Sequence, residues 1–235
     1  MMQSSQPSRE SSPRVIAAIP CFNTECSIGD VVSKARKYVD QVIVIDDGSS
    51  DNTGKIAQAA GALVVKHEVR AGVGAATKTS FELAQKSNTD VLVTIDGDGQ
   101  HNPDEVPLFI APILKEGVDL VIGSRFLIRQ NNVPLYRKFG NSVITFLYNF
   151  GSRLKVSDSQ SCFRAYGKKA LQSLNITEKG FAFSVQLLIQ ARRKDFTIVE
   201  VPISCTYNPN SHSLNPVIHG LGVALKVIKL RLKRG

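Results

Sequence analysis

The feature that most constrains this chain is a rhythm. Short apolar runs rich in β-branched residues alternate with stretches of helical spacing from residue 15 to residue 122. The runs are Val15–Ile19, Val42–Ile45, Leu63–Val65, Val91–Ile95 and Leu120–Ile122. Between them lie Ile28–Val39, Thr53–Ala60, Val73–Gln85 and Val106–Leu114, each with apolar residues on one helical face. Strands that are apolar throughout are buried on both sides, so the rhythm predicts an α/β fold: a mostly parallel sheet flanked by helices. Ligands of such sheets bind beyond the carboxyl ends of the strands. Acids gather there: Asp46 and Asp47 after the second run, Asp96 and Asp98 after the fourth.

The rhythm then changes. Leu135–Phe150, Lys168–Leu174 and Phe183–Arg192 have helical spacing, Phe196–Val201 reads as a strand, and Val217–Arg234 as a last helix. With 235 residues, 43% of them hydrophobic, the chain can bury one large core. The domain is expected over residues 14–206. Residues 1–13 are polar and low in complexity, a disordered leader without the apolar segment of a signal peptide. Residues 207–235 read as a loop and an amphipathic basic helix, with Val217, Leu221, Leu225 and Ile228 on one face and Lys226, Lys229 and Lys233 as a basic stripe. That helix packs on the domain or lies in an anionic membrane interface. No mostly apolar stretch reaches the ~18 residues of a spanning helix. Cys21, Cys26, Cys162 and Cys205 show no C-x-x-C spacing, so they are expected to be reduced thiols in a cytoplasmic protein.

Charge divides the chain. Residues 1–117 carry 11 Lys and Arg against 15 Asp and Glu, whereas residues 118–235 carry 18 against 5. The second half would attract anions: phosphate esters, anionic lipid or nucleic acid. Aromatic residues make up only 7% and form no basic cluster, which weighs against nucleic acid.

Several motifs refine this picture. TIDGDGQH, residues 94–101, is not a calcium hand, because counting from Asp96 puts His101 and Pro107 where the required Gly and Glu belong. What remains is a D-x-D pair, Asp96 and Asp98, with Gln100 beside it: hard oxygen donors of the kind that hold Mg²⁺ or Mn²⁺ together with substrate phosphates. In IDDGSSDNTG, residues 45–54, turn chemistry accounts for Ser49–Gly54 but less well for two adjacent carboxylates. VRAGVGAATKTS, residues 69–80, departs from both the dinucleotide fingerprint and the Walker A loop. A helix start that offers amides to an anion, with Arg70 nearby, is the reading that remains. Arg125 follows the fifth run, Arg137 lies on the next helix and Arg164 in DSQSCFRAY. Three arginines in an acid-poor half point to a phosphate pocket.

Taken in order, AIPCFNTE (18–25), IDDGSSDNT (45–53), RAGVGAATKTSF (70–81), IDGDGQHNPDEVP (95–107), GSRF (123–126) and DSQSCFR (158–164) resemble the inverting family-2 glycosyltransferases of GT-A fold, over about residues 14–206. Within them the chain is most similar to the dolichyl- and polyprenyl-phosphate mannosyltransferase type. The resemblance implies that Pro20, Asn23, Glu25, Asp46, Asp47, Arg70 and Asp96 form the nucleotide site. It implies that Asp96, Asp98 and Gln100 hold Mg²⁺ or Mn²⁺ on the donor, and that Arg125, Arg137 and Arg164 bind the acceptor phosphate. The expected reaction is inverting transfer from a GDP- or UDP-sugar to a lipid phosphate at the cytoplasmic face of a membrane, with Asp98 and Arg125 central to catalysis. A lipid phosphate needs no strong base. A hydroxyl acceptor on a soluble glycan or cell-envelope precursor would, and Asp158 is then the candidate. A non-catalytic nucleotide-binding protein is the third reading.

Overall fold

In a computed structural model of the protein, residues 12–128, 133, 135–152, 154–206 and 216–232 are described. Nearly all of the expected leader, and the loop 207–215, lie outside them. The elements are β1 (Val15–Cys21), α1 (Ile28–Ala35), β2 (Gln41–Asp46), α2 (Thr53–Ala59), β3 (Leu63–Lys66), α3 (Val73–Lys86), β4 (Val91–Thr94), α4 (Val106–Glu116), β5 (Leu120–Ser124), α5 (Leu135–Asn149), β6 (Arg164–Gly167), α6 (Lys168–Ser173), α7 (Ala182–Arg193), β7 (Ile198–Pro202) and α8 (Pro216–Leu232). A 3₁₀ turn, Pro103–Glu105, leads into α4.

The strands form one sheet in the order β3-β2-β1-β4-β6-β5-β7. Strands β1 to β4 are parallel, as are β5 and β7. Strand β6 is antiparallel to both of its neighbours, β4 and β5. Side chains alternate across the sheet with the period of two that a pleated strand imposes. Ile16, Ala18, Ile43, Ile45, Leu92 and Ile122 face a core closed by α3, α5, α7 and α8. Ala17, Ile19, Val42, Val44, Val91 and Val93 face the other, closed by α1, α2 and α4. Both faces are dry, which is why the runs are apolar at every position.

The strand β6 was not expected from the sequence. RAYG is short, starts with a charge and ends in Gly, yet all four residues are buried at the centre of the sheet. The last helix also departs from expectation. Among its described side chains Val223 and Val227 are buried, whereas Leu225 and Ile228, on the face expected to be apolar, are exposed. Apolar residues lie on more than one side of α8, and α5 and α7 pack on the Val223–Val227 side. The side chains of Val217 and Leu221 are outside the described residues.

Candidate active site

Parallel strands bring the ends of β1, β2, β4 and β5 to one edge of the sheet. Because β6 runs the other way, the segment that precedes it, residues 157–163, arrives at that same edge. Arg164 pairs with Thr94 on one side and with Ile122 on the other. The reversal therefore delivers Asp158 to Arg125.

Asp96 and Asp98 lie just past the end of β4. Asp96 keeps about a third of its side chain exposed and lies 3.8 Å from His101 Nε2. Its carboxyl is raised above the ordinary value, by burial first and then by the charge of Asp98, with Arg125 opposing. His101 offers little relief, since burial and then the charge of Arg125 push it down to about 4 and leave the ring neutral. Asp98 accepts hydrogen bonds from the backbone N–H and the side-chain amide of Gln100, at 3.0 and 2.6 Å. Gln100 thus spends its donors on orienting Asp98. Among the described residues no group of three or more His, Cys, Asp or Glu is placed to enclose a metal. Two neighbouring carboxylates fit Mg²⁺ or Mn²⁺, ions that keep waters and share phosphate oxygens, better than a zinc cage. Gly97 supports the turn by close approach: a Cβ there would come within 2.8 Å of the Cys21 Cβ.

The carboxylates that end β2 are held differently. Asp46 is buried and accepts from Ser49 N–H at 2.8 Å. Asp47 accepts from the backbone N–H groups of Ala71 and Gly72 at 2.9 and 2.8 Å, and lies 2.7 Å from His67 Nδ1. The anion at the glycine-rich start of α3 is therefore Asp47 itself. Two residues on, Gly74 N–H donates to Lys179 O. Gly72 has φ of +101°, and a Cβ on it would stand 2.5 Å from Lys179 O, so packing against residues 178–179 explains the glycine. Arg70 lies over the ring of Phe22 at 4.0 Å. Asn23 Oδ1 accepts from Ser50 N–H, and Glu25 Oε2 accepts from both nitrogens of Asn52. The loops after β1 and β2 thus meet. Pro20 is buried within β1 opposite Ile45 and shapes this wall from behind.

At the end of β5, Arg125 and Asp158 form a two-pronged ion pair, Nε to Oδ2 at 2.7 Å and a terminal nitrogen to Oδ1 at 2.9 Å. Asp158 is fully buried and also accepts from Asn141 Nδ2, Gln160 N–H and Ser161 N–H. Burial alone would raise its carboxyl, but the charge of Arg125 and the hydrogen bonds from Arg125 and Asn141 outweigh that and hold it below the ordinary value. This corrects the expectation of Asp158 as a general base: its oxygens are committed and its proton affinity is low. Arg164 also needs correcting. It is 1% exposed and donates to Ser159 O, Ser184 O and Ser184 Oγ, so its charge braces the interior and does not face an acceptor. The Arg137 side chain lies outside the described residues.

A model of the family described as glycosyl transferase family 2 matches residues 16–174. The chain belongs to that family. It is a glycosyltransferase whose seven-stranded sheet matches its solved relatives of GT-A fold. It is 32% identical over 237 residues to UDP-N-acetylglucosamine–dolichyl-phosphate N-acetylglucosaminyltransferase of Methanococcus voltae, an alignment covering 91% of this chain and 94% of that protein. It is 30% identical over 210 residues to polyprenol monophosphomannose synthase of Mycolicibacterium smegmatis, covering 82% and 77%. Glucosyl-3-phosphoglycerate synthase from Mycobacterium tuberculosis, solved in complex with Mn²⁺, uridine diphosphate and glucosyl-3-phosphoglycerate, superposes with a TM-score of 0.69 at 26% identity, over 94% of this chain and 79% of that one.

Three residues that tie these strand ends together escaped the sequence reading. His67, at the end of β3, bridges Asp47 and Thr79 Oγ1, the latter at 3.0 Å. Glu200, on β7, accepts from the backbone N–H groups of Ser157 and Asp158 and so seats the Arg125 partner. Glu105 accepts from Ser204 N–H and Oγ, tying the start of α4 to the chain after β7. Each acts across 20 or more residues of sequence, and only the position of His67 just past a strand end carried any signal. Cys21, Cys26, Cys162 and Cys205 form no disulfide. Burial pushes the Cys21 thiol up to about 12 and raises Cys162 as well, so neither is a thiolate at neutral pH.

Proposed function

We propose that this glycosyltransferase transfers a sugar, with inversion, from a nucleoside-diphosphate sugar to the phosphate of a polyprenyl lipid at a membrane surface, using Mg²⁺ or Mn²⁺. The observation that carries the reading is Arg125, locked in place by Asp158 at the strand end close enough for its charge to be felt at Asp96. A pre-oriented guanidinium suits a phosphate acceptor. The printed activities of the Methanococcus and Mycolicibacterium relatives, a dolichyl phosphate and a polyprenol phosphate enzyme, point the same way.

Asp98 and Asp96 would hold the ion, with Gln100 fixing the direction of the Asp98 carboxylate. Bound there, the ion would offset the negative charge that gathers on the departing nucleoside diphosphate. The loops carrying Asn23, Glu25, Asp46 and Asp47 form the wall for the nucleoside, and Asp47 keeps residues 70–72 against it. Arg125 draws the acceptor phosphate to the anomeric carbon, where the bond to the diphosphate oxygen breaks as the bond to the lipid phosphate oxygen forms. A phosphate monoester with its second pKa near ~6 attacks as the dianion and needs no base. That agrees with an Asp158 already committed to Arg125.

A second reading, transfer to a soluble phosphorylated acceptor, is favoured by the likeness to the phosphoglycerate enzyme. A panel of GDP- and UDP-sugars with Mn²⁺, scored by the rise in melting temperature, should single out one donor. With that donor radiolabelled, product extracted into organic solvent from an assay containing polyprenyl phosphate supports the first reading. Product that stays wholly in water with a phosphorylated soluble acceptor overturns it.

A further inference from the structure

Ser27 stands where α1 begins, the position at which a serine ordinarily turns its hydroxyl oxygen to an amide in the first turn. Here it makes no such bond. Its hydroxyl instead reaches across 70 residues of sequence and donates to the carbonyl of Gly97 at 2.8 Å, with Thr24 O a more distant acceptor at 3.3 Å. Gly97 is the residue between Asp96 and Asp98. The contact is wider than one hydrogen bond, because both glycines of Asp-Gly-Asp-Gly lie against the start of α1. A Cβ on Gly97 would come within 3.2 Å of Ile28 Cδ1, and one on Gly99 within 3.1 Å of Ser27 Cβ. Ser27 and the fully buried Ile28 therefore occupy the space that side chains at 97 and 99 would need, and the turn carrying the two carboxylates is moulded on them.

The segment that carries Ser27 is itself anchored on its other side. The backbone N–H groups of Asn23, Thr24 and Glu25 donate to Ser49 Oγ, Thr53 Oγ1 and Asp51 Oδ2 at 2.9, 2.7 and 3.2 Å. Those acceptors belong to the loop after β2 and to the start of α2. Residues 23–27 thus join the acids that end β2 to the acids that follow β4, two strands that do not pair because β1 lies between them. Ser27 is the last link of that bridge.

We infer that Ser27 is a positioning residue for the Asp96–Asp98 pair. Its hydroxyl fixes the peptide between the two carboxylates and so sets their direction and their distance from the nucleoside wall. Helix α1 has given up a side-chain cap in exchange. Gln100 orients Asp98 from within the turn, whereas Ser27 holds the turn from outside. Groups that orient metal ligands in this way commonly matter to ion affinity nearly as much as the ligands themselves. This deepens the proposed function and rests on it for the ion alone.

Three variants of the full-length chain separate the hydroxyl from the helix start. Ser27→Ala removes the hydroxyl and a good capping residue together, Ser27→Gly removes the hydroxyl but leaves a helix start nearly as good, and Ser27→Thr keeps both. Hydrogen exchange of residues 95–101 in the metal-free protein, read by mass spectrometry, should quicken about tenfold in the first two and not in the third. Affinity for Mn²⁺ alone, read from the loss of the free-ion electron paramagnetic resonance signal, should fall about tenfold in the same two. Asp98→Ala is the reference for a lost ligand. Unchanged exchange in Ser27→Gly, or Mn²⁺ binding as tight as the parent's where Asp98→Ala has lost it, overturns the inference and leaves the metal site standing. A Ser27→Thr chain as loose as Ser27→Ala overturns it as well. If Asp98→Ala binds Mn²⁺ as tightly as the parent, the metal in the proposed function fails, and the exchange rates alone decide whether Ser27 holds the turn.

Discussion

Two aspartates at nearby strand ends show how differently one side chain can be used. Asp158 is buried and surrounded by donors, and its carboxyl is held below the ordinary value. Asp96 lies beside another carboxylate, and its carboxyl is raised. One carboxylate is neutralised by a fixed guanidinium, and the other is held by burial and a like-charged neighbour in a state that favours its proton. A buried carboxylate with a fixed guanidinium is a structural part, costly to break because either partner is then left charged and unpaired. A pair of facing carboxylates is a standing repulsion, tolerated where something positive is to bind. Under the proposed function, the difference separates the residue that holds Arg125 in place from those that would hold the ion.

The contrast can be tested from its strongest consequence downward. Asp98→Ala should lower transfer by about two to three orders of magnitude with only a small change in thermal stability, far less than Asp158→Asn causes. Paired turnover and melting measurements would show this, and a large loss of stability would break the contrast. Asp158→Asn should behave in the opposite way, destabilising by about 3 kcal/mol in chemical denaturation. If it folds as stably as the parent, the ion pair is not structural. Arg164→Met, which leaves the carbonyls of Ser159 and Ser184 without their donor, should cost about 1–3 kcal/mol with little change in the acceptor KM. A rise in that KM would restore Arg164 to the acceptor site. Asp47→Asn should weaken donor binding by about tenfold through residues 70–72 and leave kcat nearly intact, as read by titration with the nucleotide.

The smallest expected effect concerns pH. Folded Asp96 keeps its proton above the 3.8 at which an ordinary carboxyl releases it, so its contribution to stability is whole below that pH and is lost as the pH rises through the folded value. Asp158 has the opposite sign. Its contribution is whole above the ordinary carboxyl range and is lost as acid protonates it. Melting curves between pH 4 and 7 should therefore show an Asp96-dependent decline, absent in Asp96→Asn and suppressed by Mn²⁺. If Mn²⁺ leaves the slope unchanged, the ion does not bind at Asp96.

The parallel half of the fold was legible because its strands are buried on both faces and so announce themselves as continuous apolar runs. The β2 and β4 acids were legible for the same reason, as charges placed abruptly after such runs. Strand β6 was not, since RAYG is short and earns its burial only from two neighbours about 45 and 70 residues away in sequence. Missing it led to the misreading of Arg164, whose charge is satisfied by carbonyls that no local pattern reveals. Asp158 was found but given the wrong task, because the sequence shows a carboxylate and not the donors that surround it. The buried side of α8 was equally hidden. A helix with apolar residues on several sides does not say which one a neighbour will choose.

The reversed strand also bears on the order in which the molecule can assemble. Strands β1 to β4 pair among themselves within residues 15–94, and that half can form as soon as it is synthesised. Strand β5, although next in sequence, has no direct partner there. It joins the sheet only through β6, some 40 residues later. Until β6 arrives, a growing or truncated chain has an open, hydrophobic edge on β4. Chains ending before residue 164 should therefore aggregate, whereas one ending after residue 174 has its central seam closed.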